Sequence, residues 1–426
     1  MRDISQLQTE IRDDVYREIL QNLYVDTALL DKQKERYCHA IDCYKEHFSD
    51  KEVAIFSAPG RSEIGGNHTD HQHGNVLCAA IHLDAIAVTG KRDDNVISIK
   101  SEGYPMIQVS LDDLVPSEAT GASTASLVQG VVAGFKAHNY RIGGFNAYIA
   151  SDVLIGAGLS SSASFEVLIG TILSGLYNDM CVPAMEIAKI GQYAENVFFK
   201  KPCGLMDQAA CALGSMVHID FYNPNEPKIE QVDFQPATVG YCLCVTNTKG
   251  SHASLTKEYA SIPKDMKDAA GVFHKEFLAE VPLDLVYSNL SEIREKAGDM
   301  AALRAIHFVE ETKRAVAETE ALKKGDFKEF LALVKASGDS SYKYLQNVFT
   351  PRDAEHQSLS IGLAFSDHLL HNEGASRVHG GGFAGTIQAF VPKELVTSYK
   401  DSMDELFGDD ACTVLQIRKY GGIQVM

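Results

Sequence analysis

Three short stretches gather residues whose types and spacing could do chemistry. In residues 154–164 (LIGAGLSSSAS), Gly156 and Gly158 precede Leu159, Ser160, Ser161, Ser162 and Ala163, where a long helical pattern begins. Glycine lets a backbone approach an anion closely, and the free N–H groups at the positive end of a helix favour phosphate. Serine hydroxyls can add hydrogen bonds or reach a Mg²⁺ ion. The same residues also describe a serine-capped helix after a glycine turn. The stretch is not a GxxxxGK[ST] loop. Nor is it a GxSxG elbow, because Ser162 stands two after Ser160.

Residues 57–74 (SAPGRSEIGGNHTDHQHG) crowd Arg61, Glu63, Asn67, His68, Asp70 and His71 into a glycine-punctuated turn. Such polar density on a loop suits ligand binding. Paired donors and acceptors fit sugar hydroxyls. His68, Asp70, His71 and His73 could instead ligate a metal, although no further group stands at a recognisable ligand spacing. A polar turn bonding its own backbone is the plainest alternative. In residues 194–208 (AENVFFKKPCGLMDQ), Asp207 follows Gly204 and an apolar pair, near the start of a helical pattern. A partnered buried acid there is a candidate general base; helix capping is the competing role.

The elements that must position these groups follow from hydrophobic period. Residues 1–50 read as a charged helical extension. Strands are expected at 53–56, 76–81, 85–89, 96–100 and 107–111, then helix at 124–138, strand at 144–150, and helices at 159–177 and 184–199. A strand at 216–221 leads to the proline-rich, polar stretch 223–236, which marks a domain junction. Beyond it come a strand at 241–246, amphipathic helices between 255 and 370, and a strand-helix-strand pattern from 386. The expected division is 1–50, 51–225 and 226–426.

The chain has 426 residues, with 39 Lys+Arg against 57 Asp+Glu and a formal charge of −18. That excess opposes nucleic acid and anionic lipid, so neither is an expected partner. A composition of 45% hydrophobic and 23% charged residues is that of a globular protein. No apolar run reaches membrane-spanning length, and the first residues carry no apolar core of a secretory signal. Nine cysteines without a CxxC pair read as reduced thiols, which places the chain in the cytoplasm.

Taken in order, these stretches resemble the signatures of the GHMP kinase superfamily, with the galactokinases as its most similar branch. The first signature of that branch, Gly-Arg-Val-Asn-Leu-Ile-Gly-Glu-His-Thr-Asp-Tyr, is matched by GRSEIGGNHTDH at 60–71. GLSSSA at 158–163 matches the phosphate loop. AENVF followed by PCGLMDQ matches a third pattern, and GGGFAG at 380–385 a late glycine motif. Thr246-Asn-Thr, His252 and Lys257-Glu-Tyr259 resemble a segment that supplies a sugar-contacting tyrosine.

The resemblance implies a two-domain α+β fold with mixed sheets, packed helices and an active site in the cleft between the halves. It implies an ATP-dependent sugar 1-kinase, a monomer or weak homo-oligomer whose partners are ATP and a sugar. Gly156, Gly158 and residues 159–163 would wrap the ATP phosphates, with Ser162 and Glu195 at Mg²⁺. Asp207 would act as base beside Arg61, while Asn67, His68, Asp70, Gly204 and Tyr259 would grip the sugar. Asn67 replaces the family's Glu, which contacts the far end of the sugar; Ser62-Glu63 replaces Val-Asn, and His71 replaces Tyr. Galactose is the expected substrate, with galacturonate second because a neutral amide removes a repulsion toward an acidic sugar. A non-catalytic sugar sensor is the remaining alternative, but its serine loop is altered in the family and is intact here.

Overall fold

The computed structural model describes residues 1–116, 122–153, 158–250, 255–383 and 385–426. Strand β1 (Arg2–Asp3) leads into helices α1 (Ile4–Arg12), α2 (Arg17–Tyr24) and α3 (Leu30–His47). Strands β2 (Glu52–Gly65), β3 (Asn75–Lys91), β4 (Val96–Ser101) and β5 (Ile107–Ser110) follow. Then come α4 (Thr124–Ala137), β6 (Phe145–Ser151), α5 (Ser161–Tyr177), α6 (Ala184–Tyr193) and α7 (Met206–Leu213). Strands β7 (Met216–Asp220) and β8 (Lys228–Val232) complete the first half.

Residues 85–89 and the expected strand at 76–81 are one continuous strand, because His82 and Asp84 are buried rather than turned to solvent. Along β2, successive side chains point to opposite faces. Val53 and Ile55 pack on the N-terminal helices, while Ala54, Phe56 and Ala58 pack on α4 to α7. Residues 1–50 are thus a cover for one face of the sheet, and β1 pairs with β2. Asp84, fully buried, fastens this cover. It accepts from Arg36 at 2.7 Å, Arg418 at 2.9 Å, Tyr24 at 3.0 Å, and Ser57. Burial would raise its pKa, but the two guanidinium groups lower it, so the carboxylate stays charged.

The chain then forms β9 (Tyr241–Asn247), α8 (Thr256–Gly271), α9 (Leu283–Ser288), α10 (Leu290–Ala297), α11 (Asp299–Lys323), α12 (Phe327–Ser340) and α13 (Ser358–Leu370). Strands β10 (Ala375–His379) and β11 (Thr386–Pro392), helix α14 (Val396–Phe407), and strands β12 (Cys412–Leu415) and β13 (Ile423–Gln424) end it. The second sheet is antiparallel, in the order β10-β11-β9-β12. β10 lies between the expected helices and the expected terminal strand and was not anticipated. The expected division at 225/226 is crossed twice by the first sheet. β8 pairs with β7 after it, and β13 returns from the far end of the chain to pair with β2. The nine cysteines are all free thiols. Among the described residues no helix is long and apolar enough to cross a membrane.

Candidate active site

Asp207 lies in the first turn of α7, yet its carboxylate does not cap that helix. It accepts from Arg61 Nε at 2.6 Å and Arg61 Nη2 at 2.8 Å, a two-pronged pairing of planar groups. Ser160 Oγ donates to its second oxygen. Burial alone would raise the acid's pKa, but the charge and hydrogen bonds of Arg61, then Ser160 and Lys201, lower it to about 2. Arg61 is nearly enclosed, at 7% exposure, whereas the Asp207 side chain is 33% open. The acid is therefore ionised, fixed in direction and accessible.

The glycine-serine loop meets this pair from above. Arg61 Nη1 donates to the carbonyl of Gly158 at 2.6 Å. Gly158 and Ser160 both take positive φ, of 69° and 59°. At Gly158 a side chain would also strike Thr386 Oγ1, so glycine is required there. Ser160 precedes α5 without capping it; its hydroxyl serves Asp207 instead. The N-terminus of α5 starts at Ser161, with Ser161 and Ser162 part-exposed in its first turn. Gly156 lies outside the described residues.

Beside the loop, α6 widens into a π turn at Ala194–Phe198, which aims Glu195 back toward α5. Ser162 Oγ donates to Glu195 Oε1 at 3.1 Å, and Lys201 Nζ reaches the same oxygen at 2.8 Å. Gln208 Nε2 donates to both Glu195 and the buried Glu166, each at 3.0 Å. Burial, then repulsion from Glu195, raises the pKa of Glu166, so it favours the neutral acid. A hydroxyl and a carboxylate side by side form a hard oxygen pair of the kind Mg²⁺ takes from protein when phosphates and water supply its other ligands. The Lys201 side chain is 60% exposed, so this counter-charge can swing aside. Among the described residues no larger cluster of His, Cys, Asp and Glu could hold a metal. The alternative histidine metal site does not form: His73 stacks on Phe277, while the rings of His68 and His71 stack on each other.

The turn after β2 closes the other side. Asp70 packs against Gly204 so tightly that a side chain at 204 would meet its carboxylate. His68 bonds the carbonyl of Gly381 at 3.0 Å through Nε2, and Tyr259 donates to that of Gly382 at 2.8 Å. A Cβ at Gly380 would lie 4.0 Å from both Arg61 Nη2 and the Gly158 carbonyl. The late glycine turn thus touches both the acid-guanidinium pair and the residues expected at the sugar.

Asn67 departs from expectation. Its side chain is fully buried and its bonding capacity is filled by protein. Nδ2 donates to Glu63 at 2.9 Å and Gly380 O at 2.8 Å, while Oδ1 accepts from Asn347 at 2.9 Å and Ser341 at 3.1 Å. It turns inward as a brace, leaving no free bonding group for a ligand. Sequence reasoning also missed Lys201 and Arg377. Lys201 stood in the run KKPCG, just past the π turn. Arg377 gave no local signal; it pairs with Glu63 across the two halves, both groups buried. His252 lies outside the described residues.

Known proteins resemble this chain in sequence and in fold. Residues 126–215 match the GHMP kinases N terminal domain, and residues 42–91 match the galactokinase galactose-binding signature. Galactokinase of Enterococcus faecalis is 32% identical over 378 residues, covering 86% of this chain and 92% of that protein. The fold is shared with Lactococcus lactis galactokinase, solved with galactose, at a TM-score of 0.78 and 23% identity, covering 93% of this chain and all of that one. Methanococcus jannaschii mevalonate kinase shares it more distantly, at a TM-score of 0.61 and 15% identity, over 87% of this chain and 99% of that one. With the signature turn, the serine loop and the paired acid in one cleft, and a relative this similar along nearly its whole length, the chain belongs to the galactokinase family of GHMP kinases.

Proposed function

We propose that the chain transfers the γ-phosphoryl group of ATP to the anomeric hydroxyl of galactose, giving galactose 1-phosphate and ADP. The observation that carries this reading is the open, ionised carboxylate of Asp207, held by Arg61 directly beneath the glycine-serine loop. The Enterococcus faecalis relative and the galactose-binding signature support the choice of sugar.

Asp207 receives the proton of the attacking hydroxyl as its oxygen bonds to phosphorus and the bond to ADP breaks. A carboxylate with so low a pKa is a weak base. That suffices because phosphoryl transfer passes through a loose transition state in which the nucleophile carries little charge until late. Arg61, always cationic, stabilises the negative charge that gathers on the phosphoryl oxygens. The first turn of α5 offers backbone N–H groups to phosphate. Ser162 and Glu195 would hold Mg²⁺, which when bound neutralises and orients the ATP phosphates. Lys201, freed from Glu195, adds a mobile positive charge nearby.

His68 bears on the sugar. The Gly381 carbonyl can only accept, so Nε2 carries the proton and Nδ1 is left as a bare acceptor. Nδ1 is buried and has no hydrogen-bond partner among the described residues. Burial, then the neighbouring His71, lowers the pKa of His68 to about 3, so this acceptor persists at neutral pH. A sugar hydroxyl satisfies it by donating.

The test is ATP turnover with galactose and with galacturonate at matched concentrations, locating the phosphorylated carbon by phosphorus-coupled NMR. Phosphate on C1 of galactose is expected. Turnover on galacturonate alone, or on neither sugar, would refute the proposal.

A further inference from the structure

We propose that Glu63 and Asn67 are an exchanged carboxylate–amide pair which, tied down by Arg377, positions the turn carrying His68 and Asp70 and so sets the affinity for the sugar. The inference rests on the sugar-kinase reading above and deepens it.

In the family signature the position of Glu63 is Asn and that of Asn67 is Glu; here the two residue types have changed places. The structure gives the exchange a physical meaning. Asn67 Nδ2 donates to Glu63 Oε1 at 2.9 Å, so an amide and a carboxylate satisfy each other across these two positions. Two carboxylates would repel across this distance in a buried site; two amides would leave Arg377 without its counter-charge. The exchange keeps the hydrogen bond and moves the negative charge four residues back along the chain.

At its new place the charge is answered by Arg377 of β10, whose Nη2 meets the same Glu63 oxygen. Arg377 is fully buried and also donates to the carbonyls of Ile64 at 2.8 Å and Val378 at 3.0 Å. Asn67, made neutral, is gripped by Ser341, Asn347 and the Gly380 carbonyl, all from the second half of the chain. Its backbone is held as well: the N–H groups of Gly66 and Asn67 donate to Glu311, and His307 bonds the Asn67 carbonyl at 2.9 Å. A third departure fits the same arrangement. Gly65 stands where the signature has Ile, and a Cβ there would lie 1.6 Å from Glu318 Oε2. The start of the sugar-facing turn is thus bonded to the second half of the chain at residues 63 and 67 and packed closely on Glu318 at Gly65, next to His68 on the Gly381 carbonyl. None of the side chains that hold residues 63 and 67 bonds Asp207 or the serine loop, although the Gly380 turn neighbours both Arg61 and Gly158, which predicts a larger effect on sugar binding than on ATP.

The experiment is a double-mutant cycle, Glu63→Asn, Asn67→Glu and the two together, with KM for galactose, KM for ATP and kcat measured separately. Each single variant is expected to raise the galactose KM by about tenfold or more while the ATP KM stays within about twofold, and the exchange in both positions to restore the galactose KM to within about threefold of the starting protein. If the double variant loses as much as the two singles multiplied, or if ATP and galactose KM rise together, the proposal is wrong. Where a single variant fails to fold, Glu63→Gln keeps the side-chain volume and the acceptor for Asn67 and removes only the charge; an unchanged galactose KM in it overturns the proposal equally. Absence of galactose turnover in the unmodified protein would instead defeat the functional reading on which this one stands.

Discussion

Replacing Asp207 by Asn tests the base and its pairing together. Asparagine has one acceptor oxygen and one NH₂, so the NH₂ must face a guanidinium N–H, and one of the bonds at 2.6 and 2.8 Å is lost along with the charge. In the folded protein the acid's pKa lies near 2 rather than 3.8, because Arg61, Ser160 and Lys201 outweigh its burial. A depression of that size is worth at most ~2.5 kcal/mol, and screening at a side chain that is 33% exposed reduces it to roughly 1–2 kcal/mol. Because the folded pKa is the lower one, this stabilisation is fully present above pH 3.8 and disappears as pH falls toward 2. The stability gap between the parent and Asp207→Asn should therefore be constant from pH 5 to 8 and close only below about pH 4. Turnover should fall by ~10²–10⁴, the usual worth of a positioned general base. ATP affinity should hardly change, since the loop and α5 are untouched. Coupled ADP release, calorimetric ATP binding and urea unfolding across pH measure the three quantities. Near-full turnover in the variant, or a stability gap that does not shrink between pH 5 and pH 2.5, would refute the reasoning.

Other perturbations reach the rest of the molecule. Glu195→Gln removes the charge beside Ser162 and should raise the Mg²⁺ concentration for half-maximal activity by about tenfold or more, read from a Mg²⁺ titration at fixed ATP. Gly65→Ala forces a methyl onto Glu318 and should cost ~1–3 kcal/mol in urea unfolding, with Glu318→Ala in the same chain restoring most of it. Asp84→Asn leaves Arg418 buried without a counter-charge and Arg36 with only the part-exposed Asp152. Its expected loss is ~3–5 kcal/mol, with early proteolysis in residues 1–50 as the visible sign.

What could be read in the sequence was whatever the chain supplies in one contiguous run. Ser160, Ser162 and Asp207 sit inside short motifs, and their partners lie where those motifs lead. Glu63 was visible, but its counter-ion was not: Arg377 comes from the other sheet, and nothing near 377 distinguishes it from a surface arginine. Asn67 misled for the same reason. Whether an amide faces a ligand or the interior depends on Ser341 and Asn347, which only the folded chain brings to it. Two strands were read in place of β3 because His82 and Asp84 look like turn residues until Arg36 and Arg418 are seen to bury the acid. β8 and β13 escaped the domain division because sheet membership depends on pairing partners, not on composition.

The π turn at Ala194–Phe198 has a consequence for how this enzyme tolerates change. A turn of that kind holds one residue more than the regular helix around it. Deleting a single residue there would let the helix run straight, swinging everything beyond by roughly 100°. Glu195 would then be carried away from Ser162, and Lys201 with it. The Ser162–Glu195–Lys201 corner thus owes its aim to a surplus residue in the helical ladder, so chain length at this point matters as much as any side chain.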